Sequence, residues 1–279
     1  MVWFGMRHDF TMHVLATFCL VFSVLLGNTP PARAASTPSG PMLDAPFVVS
    51  SYAIVDRMLD MADVGADDYL IDLGSGDGRI VISAAMKLGA SGLGVDIDGA
   101  RIAESRENAI RAGVDDKVSF RMEDLFQTEI REASVVTMYL LASVNLRLRP
   151  RLLDELRPGT RVVSHAFDLG DWRPDDTDEV NGARIYLWIV PAKVDGRWRL
   201  EGWGERPIDL TFSQRYQEIE GAVRRGNSVV ALNQAELKGN RIRFSFTGEV
   251  GADELVGRVE DNVIFPADES ESWRMVRAR

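Results

Sequence analysis

Residues 70–79 read Leu-Ile-Asp-Leu-Gly-Ser-Gly-Asp-Gly-Arg, and this stretch decides the fold class. Its apolar start predicts a short buried strand over residues 69–73, and an apolar helical pattern follows Arg79. The three alternating glycines between them allow a tight turn and a close approach of the backbone to a ligand. The stretch therefore predicts a strand, a ligand-binding loop and a helix start, which is the first half of a βαβ unit.

The pattern on the C-terminal side of this loop repeats the same alternation. Further short strands are predicted at residues 93–96, 118–120, 135–140 and 161–166, with helical patterns between them. Alternating strands and helices form mostly parallel sheets that carry helices on both faces. We therefore expect a Rossmann-like α/β domain over residues 46–191, with ligands bound outside the carboxyl ends of its strands.

From Asn181 onwards the pattern changes to an alternation of apolar and polar residues. Asp195-Gly196 and Lys238-Gly239-Asn240 are typical of hairpin turns. These signals predict about five short strands in a small antiparallel sheet or barrel. We assign residues 192–279 to this β-rich C-terminal domain, whose role the sequence does not indicate.

The first 34 residues are typical of a secretory signal peptide. An apolar run over residues 12–26 follows a basic residue, and residues 32–34 match the small-residue cleavage pattern. We expect cleavage before Ala35, a flexible lead-in over residues 35–45 and export, with the periplasm as the destination. No stable membrane span is expected after cleavage, since a spanning helix needs about 20 apolar residues. The alternative is an uncleaved segment that anchors the chain in a membrane.

Composition excludes several classes of partner and site. The 279 residues carry 32 Lys and Arg against 42 Asp and Glu, a net charge of -10. Because nucleic-acid binding requires a cationic face, we expect no nucleic-acid partner. Beyond residue 34 the chain has no Cys and a single His, His165, which excludes a Cys-based or multi-His metal site. An all-oxygen Mg or Ca site stays open, but no motif supports it. We therefore expect no metal, and the oligomeric state is not indicated.

The glycine loop favours a cationic ligand over a phosphate. Its G-x-G-x-G spacing differs from the dinucleotide and P-loop patterns, and it contains no Lys. Carboxylates at Asp72 and Asp77 would repel a pyrophosphate but suit the amine and sulfonium of S-adenosylmethionine. Asp96 ends the second strand, where it can accept from ribose hydroxyls, and Asp124 follows the third strand, where it can accept from an adenine amino group. The predicted donor-binding residues are Asp72, Gly74, Gly76, Gly78, Asp96 and Asp124.

Two residues that follow later strands are candidates for catalysis. Tyr139 follows the fourth strand and could orient a methyl acceptor, or be a sheet-edge aromatic residue. His165 ends the fifth strand and could accept a proton, or be a structural hydrogen-bonding residue. Asn145 either contacts the acceptor or caps the next helix near Leu146.

Two surface features are open to a functional or a structural interpretation. Asp168 and Asp171 with Trp172 would form an acidic, aromatic mouth for a lysine-bearing partner, or a solvated loop. A basic cluster lies close to acidic residues and is predicted to form a solvated, salt-bridged surface. Its members are Arg147, Arg149, Arg151 and Arg157.

The glycine loop, Asp96 and Asp124 resemble the corresponding motifs of class I S-adenosylmethionine-dependent methyltransferases. A narrower resemblance covers residues 46–191, about half of the chain. It is to the small protein-lysine methyltransferases that modify mitochondrial carrier and ATP synthase c-subunit proteins, and to their bacterial relatives. The stretches that carry it are residues 72–80, 137–141, 145–150, 163–167 and 170–172.

This resemblance implies an enzyme that uses S-adenosylmethionine as methyl donor, with no metal, on a protein or small-molecule acceptor. Protein lysine is the acceptor that the narrower resemblance implies. Residues 47–51 lack the proline that this subfamily often has there, and the β-rich C-terminal domain lies outside the resemblance. Two alternatives remain open: a non-catalytic exported protein that binds an adenosyl ligand, and an envelope protein that binds a partner through its β-rich domain.

Overall fold

The structure is a computed structural model that describes residues 49–225, 228–247 and 252–278. The predicted signal peptide (residues 1–34) and lead-in (residues 35–45) lie outside the described residues. Within the described part, no helix has the length and apolar character needed to cross a membrane.

The first sheet is the predicted Rossmann-like sheet. Its described strands are β1 (Tyr69–Leu73), β2 (Ser91–Asp96), β3 (Val118–Met122), β4 (Val135–Met138), β5 (Arg161–His165), β6 (Asp176–Val180) and β7 (Ala183–Ile189). They lie in the order β3-β2-β1-β4-β5-β7-β6, with β1 to β5 parallel. The last two strands, β7 and β6, run antiparallel to their neighbours. The predicted mostly parallel sheet is confirmed.

Four helices within the described residues cover the two faces of this sheet. They are α1 (Tyr52–Met61), α2 (Arg79–Leu88), α3 (Gly99–Ala112) and α4 (Ala142–Glu155). The first three share one core with one face of the strands, and α4 shares another core with the opposite face. Each helix buries an apolar stripe, which in α4 consists of Val144, Leu148 and Leu152 at helical spacing. Helices on both faces are therefore confirmed.

Two local features differ from the sequence-based expectation. Helix α4 begins at Ala142, before the predicted start, and contains Pro150 within it. The strand β6 was not predicted, because its residues Asp-Thr-Asp-Glu-Val have no alternating apolar pattern. It is the edge strand of the sheet, where one side of the backbone faces solvent and a polar sequence is tolerated.

The second sheet is antiparallel, as predicted, but has more strands than the expected five. Its described strands are β8 (Gly196–Glu201), β9 (Ile208–Arg215), β10 (Glu218–Arg225), β11 (Ser228–Ala231), β12 (Gln234–Lys238), β13 (Arg241–Thr247), β14 (Ala252–Glu260), β15 (Val263–Pro266) and β16 (Arg274–Arg277). Their order is β11-β10-β9-β8-β16-β15-β14-β13-β12. The turn between β9 and β10 contains Tyr216 at φ 57° and no glycine, so its sequence carries little turn signal.

Candidate active site

The carboxyl ends of β1 to β5 bring the predicted site residues to one edge of the first sheet. The order of the strands reverses between β1 and β4, which is where open α/β sheets form a ligand crevice. Asp72 lies in β1, Asp96 ends β2, and Asp124 follows β3 by two residues. Tyr139 directly follows β4, and His165 ends β5. The residues predicted to bind the methyl donor and those predicted to contact the methyl acceptor therefore lie at the same edge of the sheet.

The glycine loop has the tight conformation that its sequence predicts. Gly74, Gly76 and Gly78 have φ values of 81°, 53° and 80°, a left-handed region that is costly for other residues. The backbone N–H groups of Gly74 and Ser75 donate to the carbonyl oxygen of Val95, at 2.9 and 2.8 Å. These two hydrogen bonds fix the start of the loop to β2, a few residues before the first residue of α2.

Substitution of Gly78 by alanine tests this packing. An added Cβ would lie 2.7 Å from the ring of Phe120 and 2.9 Å from Cβ of Ser105. Gly113 is a matched control, since it also lies in the left-handed region (φ 67°) but has open space around its Cβ position. We expect Gly113→Ala to lower the free energy of unfolding by about 1 kcal/mol. Gly78→Ala should lower it by about 3 kcal/mol, because overpacking is added. Urea unfolding measures both, and equal losses would contradict the packing argument.

Asp96 links the loop to the end of β2. Its Oδ2 accepts from the N–H of Gly76 at 2.9 Å, and its Oδ1 accepts from the N–H of Asp98 at the same distance. Hydrogen bonds from backbone N–H groups to a carboxylate are strong and fix its orientation. Asp96 is thus a fixed acceptor at the carboxyl edge, where sequence analysis placed the ribose hydroxyls.

Asp72 is a buried carboxyl group below the loop. It is 2% exposed, and its Oδ1 accepts from Oγ1 of Thr137 in the neighbouring strand at 2.8 Å. Burial raises its pKa to about 7, with smaller contributions from the charges of Asp96 and Asp77, while the Thr137 hydrogen bond opposes the shift. A carboxyl with this pKa gains or loses its charge near neutral pH, and a nearby cation would favour the charged form.

Asp77 has a different role from the one expected. Its carboxylate accepts from Nε of Arg79 at 2.9 Å and pairs with the same guanidinium through its second oxygen. Arg79 also donates to the carbonyl oxygen of Ser50 at 2.7 Å. The charge of Asp77 is thus compensated by a cation two residues away, so it ties the loop to the segment before α1.

The region after β3 contains residues that sequence analysis missed. Asp124 is exposed, and its Oδ1 accepts from the N–H of Phe126 at 2.9 Å. Beside it, Glu123 has a buried Oε2 without a hydrogen-bond partner among the described residues. Ile97 and Met122 are exposed apolar side chains at the ends of β2 and β3. Their signal was positional, since Ile97 directly follows the strand predicted over residues 93–96 and Met122 lies two residues beyond the strand predicted over residues 118–120.

The acceptor end of the edge contains a compact cluster of Tyr139, His165 and Ser50. The Tyr139 and His165 rings lie 3.8 Å apart between centroids, at an interplanar angle of 35°. Oγ of Ser50 lies 2.8 Å from Nδ1 of His165. His165 is 4% exposed, and burial lowers its pKa, so its imidazole is neutral at neutral pH. Sequence analysis missed Ser50.

Asn145 supports the turn that follows His165. Ala166 has φ 68°, and Phe167 N–H donates to the His165 carbonyl oxygen at 2.9 Å, which makes a strained γ-turn. Nδ2 of Asn145 donates to the carbonyl oxygen of Phe167 at 3.0 Å and contacts Oγ of Ser164 at 3.2 Å. Asn145 is fully buried inside α4, so the capping interpretation is wrong. Its Oδ1 has no hydrogen-bond partner among the described residues.

The loop after this turn does not form an aromatic mouth. Trp172 is fully buried, and its Nε1 donates to Oε1 of Gln217 in the second sheet at 2.9 Å. Asp168 accepts from the N–H of Gly170 at 3.0 Å within the loop. Asp171 pairs with Arg149 and with Arg215. The hydrogen bond from Arg215, together with Tyr216 and the charge of Arg149, lowers the pKa of Asp171 to about 2. Trp172 therefore packs the loop against the β-rich domain.

The basic cluster on α4 and just beyond its C-terminal end is paired, as predicted. Arg151 makes two contacts of 2.7 Å with Glu155, one helical turn away. Arg157 pairs with Glu132 at 2.9 Å, and the guanidinium of Arg147 lies 4.0 Å from the ring centroid of Phe126. The exposed pair of Arg157 and Glu132 contributes little to stability.

The described residues fit an S-adenosylmethionine site. Carboxylates at Asp72 and Asp96 suit a cationic ligand with a ribose, and Oγ of Ser75 is buried in the loop without a partner in the described part. An unpaired buried hydroxyl costs free energy unless a ligand supplies its hydrogen bond. No group of three or more His, Cys, Asp or Glu side chains suited to a metal ion occurs in the described ranges.

Comparisons with known proteins agree with this assignment. The sequence model of the ANTKMT methyltransferase domain matches residues 72–176. A protein-lysine N-methyltransferase of Saccharolobus islandicus is 41% identical over 150 residues, covering 52% of this chain and 93% of the relative. The adenine nucleotide translocase lysine N-methyltransferase of Mus musculus is 34% identical, covering 54% of this chain and 71% of the relative.

A solved structure with the same fold is that of a protein named as an RNA methyltransferase from Salinibacter ruber, in complex with S-adenosyl-L-homocysteine. It is 53% identical, covers 53% of this chain and 96% of its own, and superposes with a TM-score of 0.52. Fold and site thus define an S-adenosylmethionine-dependent methyltransferase. The chain belongs to the ANTKMT methyltransferase family. These findings support the enzyme and not the non-catalytic alternative.

Proposed function

We propose that this enzyme methylates the side-chain amine of lysine in a protein acceptor. The observation that carries the proposal is the cluster of Tyr139, His165 and Ser50 at the acceptor end of the site, which provides a neutral base. Asn145, which supports the turn after His165, adds an acceptor atom without a partner among the described residues. Two relatives that are named lysine methyltransferases give independent support.

The donor half of the site is assigned to the glycine loop and to three acidic residues, Asp72, Asp96 and Asp124. S-adenosylmethionine, when bound, supplies an activated methyl group, whose C–S bond breaks as the new N–C bond forms. Asp96 would accept from the ribose hydroxyls, and Asp72 would offset the positive charge. Ser75 would satisfy its free hydroxyl on the same ligand, and Asp124 would accept from the adenine amino group.

The acceptor half must hold a lysine amine and remove its proton. A lysine side chain is charged at neutral pH and reacts only after it loses a proton. His165 is neutral, and in the tautomer whose Nδ1–H donates to Oγ of Ser50 its Nε2 carries the lone pair that would take that proton. Oδ1 of Asn145 would accept from the amine, and the ring of Tyr139 would cover it. Together these residues exclude water and orient the nitrogen.

The pKa of Asp72 gives a pH prediction. Because this pKa is about 7, the unliganded site is partly protonated at neutral pH, and a cationic donor favours the ionised form. Donor affinity should rise as pH increases through about 7, with a proton released on binding. Asp72→Asn should bind more weakly and release no such proton. Calorimetry in two buffers with different ionisation enthalpies measures the release, and an equal release by both proteins would contradict the assignment.

The raised pKa of Asp72 also determines how this residue changes the stability of the fold with pH. Its folded-state pKa lies above the ordinary value of about 3.9, so the folded protein holds a proton that the unfolded chain has lost. The contribution of Asp72 to stability therefore falls as pH rises from about 4 through about 7. Donor binding reverses part of this loss, because it favours the charged carboxylate.

Labelled-methyl transfer tests the proposed acceptor. The full chain is incubated with methyl-labelled S-adenosylmethionine and a cell extract, and the protein and RNA fractions are counted separately. Label in protein that is recovered as methyl-lysine supports the proposal. Label in RNA alone overturns it in favour of a second candidate, RNA methylation, which the name of the Salinibacter ruber protein favours. The net charge of -10 argues against that candidate.

Export remains a separate proposal that rests on residues 1–34. Their charged start, apolar run and small-residue site support cleavage before Ala35 and a periplasmic location. The mass of the protein recovered from its native host tests it, because a mature chain that begins at Ala35 is expected. Full-length protein in the membrane fraction would favour the anchored alternative.

A further inference from the structure

A continuous series of hydrogen bonds runs from the glycine loop to His165. It starts at Asp77, whose carboxylate accepts from Nε of Arg79 at 2.9 Å through Oδ1 and at 3.1 Å through Oδ2. The guanidinium of Arg79 also donates to the carbonyl oxygen of Ser50 at 2.7 Å. Oγ of Ser50 lies 2.8 Å from Nδ1 of His165. Residues from three separate parts of the chain thus connect the predicted donor loop to the acceptor end of the site.

Ser50 is the residue at which the two ends of this series meet. It is 3% exposed and lies two residues before the start of α1. Its carbonyl oxygen bonds to the first residue of α2, Arg79, and its side chain bonds to the last residue of β5, His165. A displacement of its backbone would therefore also move the hydroxyl that fixes the imidazole.

Arg79 has a geometry that a lysine could not reproduce. Two of its nitrogens contact the carboxylate of Asp77, and the third donates to Ser50. Both side chains of the ion pair are partly buried, with 20% and 15% of their surface exposed. Bidentate bonds between charged groups are strong and fix the relative position of the partners, whereas a lysine presents a single point charge. Arg79 is thus suited to hold the loop and Ser50 in one arrangement.

The loop end of the series lies among the residues assigned to the donor. Asp77 contributes to the raised pKa of Asp72, so the charges of the two carboxylates interact. Gly76 and Gly78 flank Asp77, and the N–H of Gly76 donates to Asp96 at 2.9 Å. A donor that contacts Asp72 and Asp96 would therefore restrain the backbone that carries Asp77.

We propose that Arg79 is a positioning residue that couples the donor loop to His165. The inference rests on the proposed function, in which His165 takes the proton of the lysine amine. Donor binding fixes the loop, Arg79 passes this restraint to Ser50, and Ser50 holds the imidazole in the orientation and tautomer that the reaction requires. The imidazole is then placed to take a proton only when a methyl donor is present.

Nitrogen NMR of the imidazole ring tests the coupling in the full chain. In protein with isotope-labelled histidine, the ring nitrogens report the tautomer and hydrogen bonding of His165. The chain has three histidines, so the His165→Ala spectrum identifies the signals of interest. Saturating S-adenosylmethionine, added without an acceptor, should shift these signals in the wild type. Arg79→Lys keeps the charge but not the three-way contact, so it should bind the donor and lose this response. Asp77→Asn should lose the response as well, because it breaks the ion pair from the loop side.

Arg161→Lys is the matched control. Arg161 pairs with Asp68 and donates to two backbone carbonyl oxygens, at 2.9 and 3.0 Å. The side chains of this pair are 23% and 12% exposed, close to the values of the Arg79 pair. Arg161 begins β5 and His165 ends it, so the control lies at the opposite edge of the sheet. It should lose a similar amount of stability and keep the response of His165.

The rate of methyl transfer gives a second measurement on the same samples. At saturating donor, the initial rate of labelled-methyl transfer to protein should fall about tenfold in Arg79→Lys, because small displacements of a reacting group slow the reaction strongly. Arg161→Lys should keep the wild-type rate. Loss of the His165 response together with slower transfer, in the Arg79 variant and not in the control, supports the proposal.

Several outcomes would overturn the coupling. They are a His165 signal that does not respond to the donor in the wild type, an equal response in Arg79→Lys, an equal loss in the control, and a lost response with an unchanged rate. Loss of all donor binding in Arg79→Lys does so too, since the guanidinium would then act on the donor loop alone. If the wild type shows the response but transfers no methyl group to protein, the proposed function is wrong while the link between Arg79 and His165 remains.

Discussion

Asp96→Ala is expected to weaken the binding of S-adenosylmethionine by about a hundredfold. A hydrogen bond to a charged group contributes about 1.5–3 kcal/mol, and the carboxylate is assigned to two ribose hydroxyls. A loss of about 3 kcal/mol corresponds to that factor in the dissociation constant. The substitution also removes the bond to the Gly76 N–H, so the loop loses its link to β2. Calorimetric titration of the donor into the full chain measures the effect.

Asp98→Ala is the matched control for this titration. Asp98 lies two residues away and caps α3 by accepting from the N–H of Ala100 at 2.8 Å. Its loss should lower the free energy of unfolding by about 1 kcal/mol and leave donor affinity nearly unchanged. If both variants bind equally well, Asp96 does not contact the donor. If only the Asp96→Ala variant unfolds at a much lower temperature, its weaker donor binding is caused by a disrupted glycine loop and not by lost hydrogen bonds to the ribose.

Asp96 and the glycine loop could be predicted from sequence because their signals are local. The strand, the three glycines and the acidic end of the next strand all lie within residues 69–96, and the structure places each as expected. Parallel strands in such a sheet share a carboxyl edge, so chain order alone brings these residues together. The same reasoning placed Tyr139 and His165 at this edge.

Contacts between distant segments could not be predicted in this way. Ser50 lies 115 residues from His165 in the chain, and nothing in the sequence marks it as the partner of the imidazole. Trp172 was expected to be accessible, but it is fully buried and its Nε1 donates to Gln217 in the turn between β9 and β10. Asn145 was interpreted as a cap because the start of α4 was placed too late, and helix boundaries are set by tertiary packing as well as by local pattern.

His165→Ala is expected to reduce the rate of methyl transfer by about 10²–10⁴-fold, the range that a positioned general base contributes. Donor affinity should stay unchanged, since the imidazole lies at the acceptor end of the site. The measurement is the initial rate of labelled-methyl transfer to protein at saturating donor, with calorimetry as the check on binding. An equal loss of rate and donor affinity would assign His165 a structural role.

Ser50→Ala tests whether His165 acts as a general base or has only a packing role. It keeps the imidazole and removes the hydroxyl at 2.8 Å from Nδ1, so the ring loses the bond that fixes its orientation. We expect a smaller loss of rate, about tenfold, and a changed pH dependence at low pH. Burial keeps the pKa of His165 below its ordinary value, so wild-type activity should decline only as acid protonates the ring below about pH 6.5. A wild-type rate that shows no such decline would exclude His165 as the proton acceptor, because a protonated imidazole cannot take a proton from lysine.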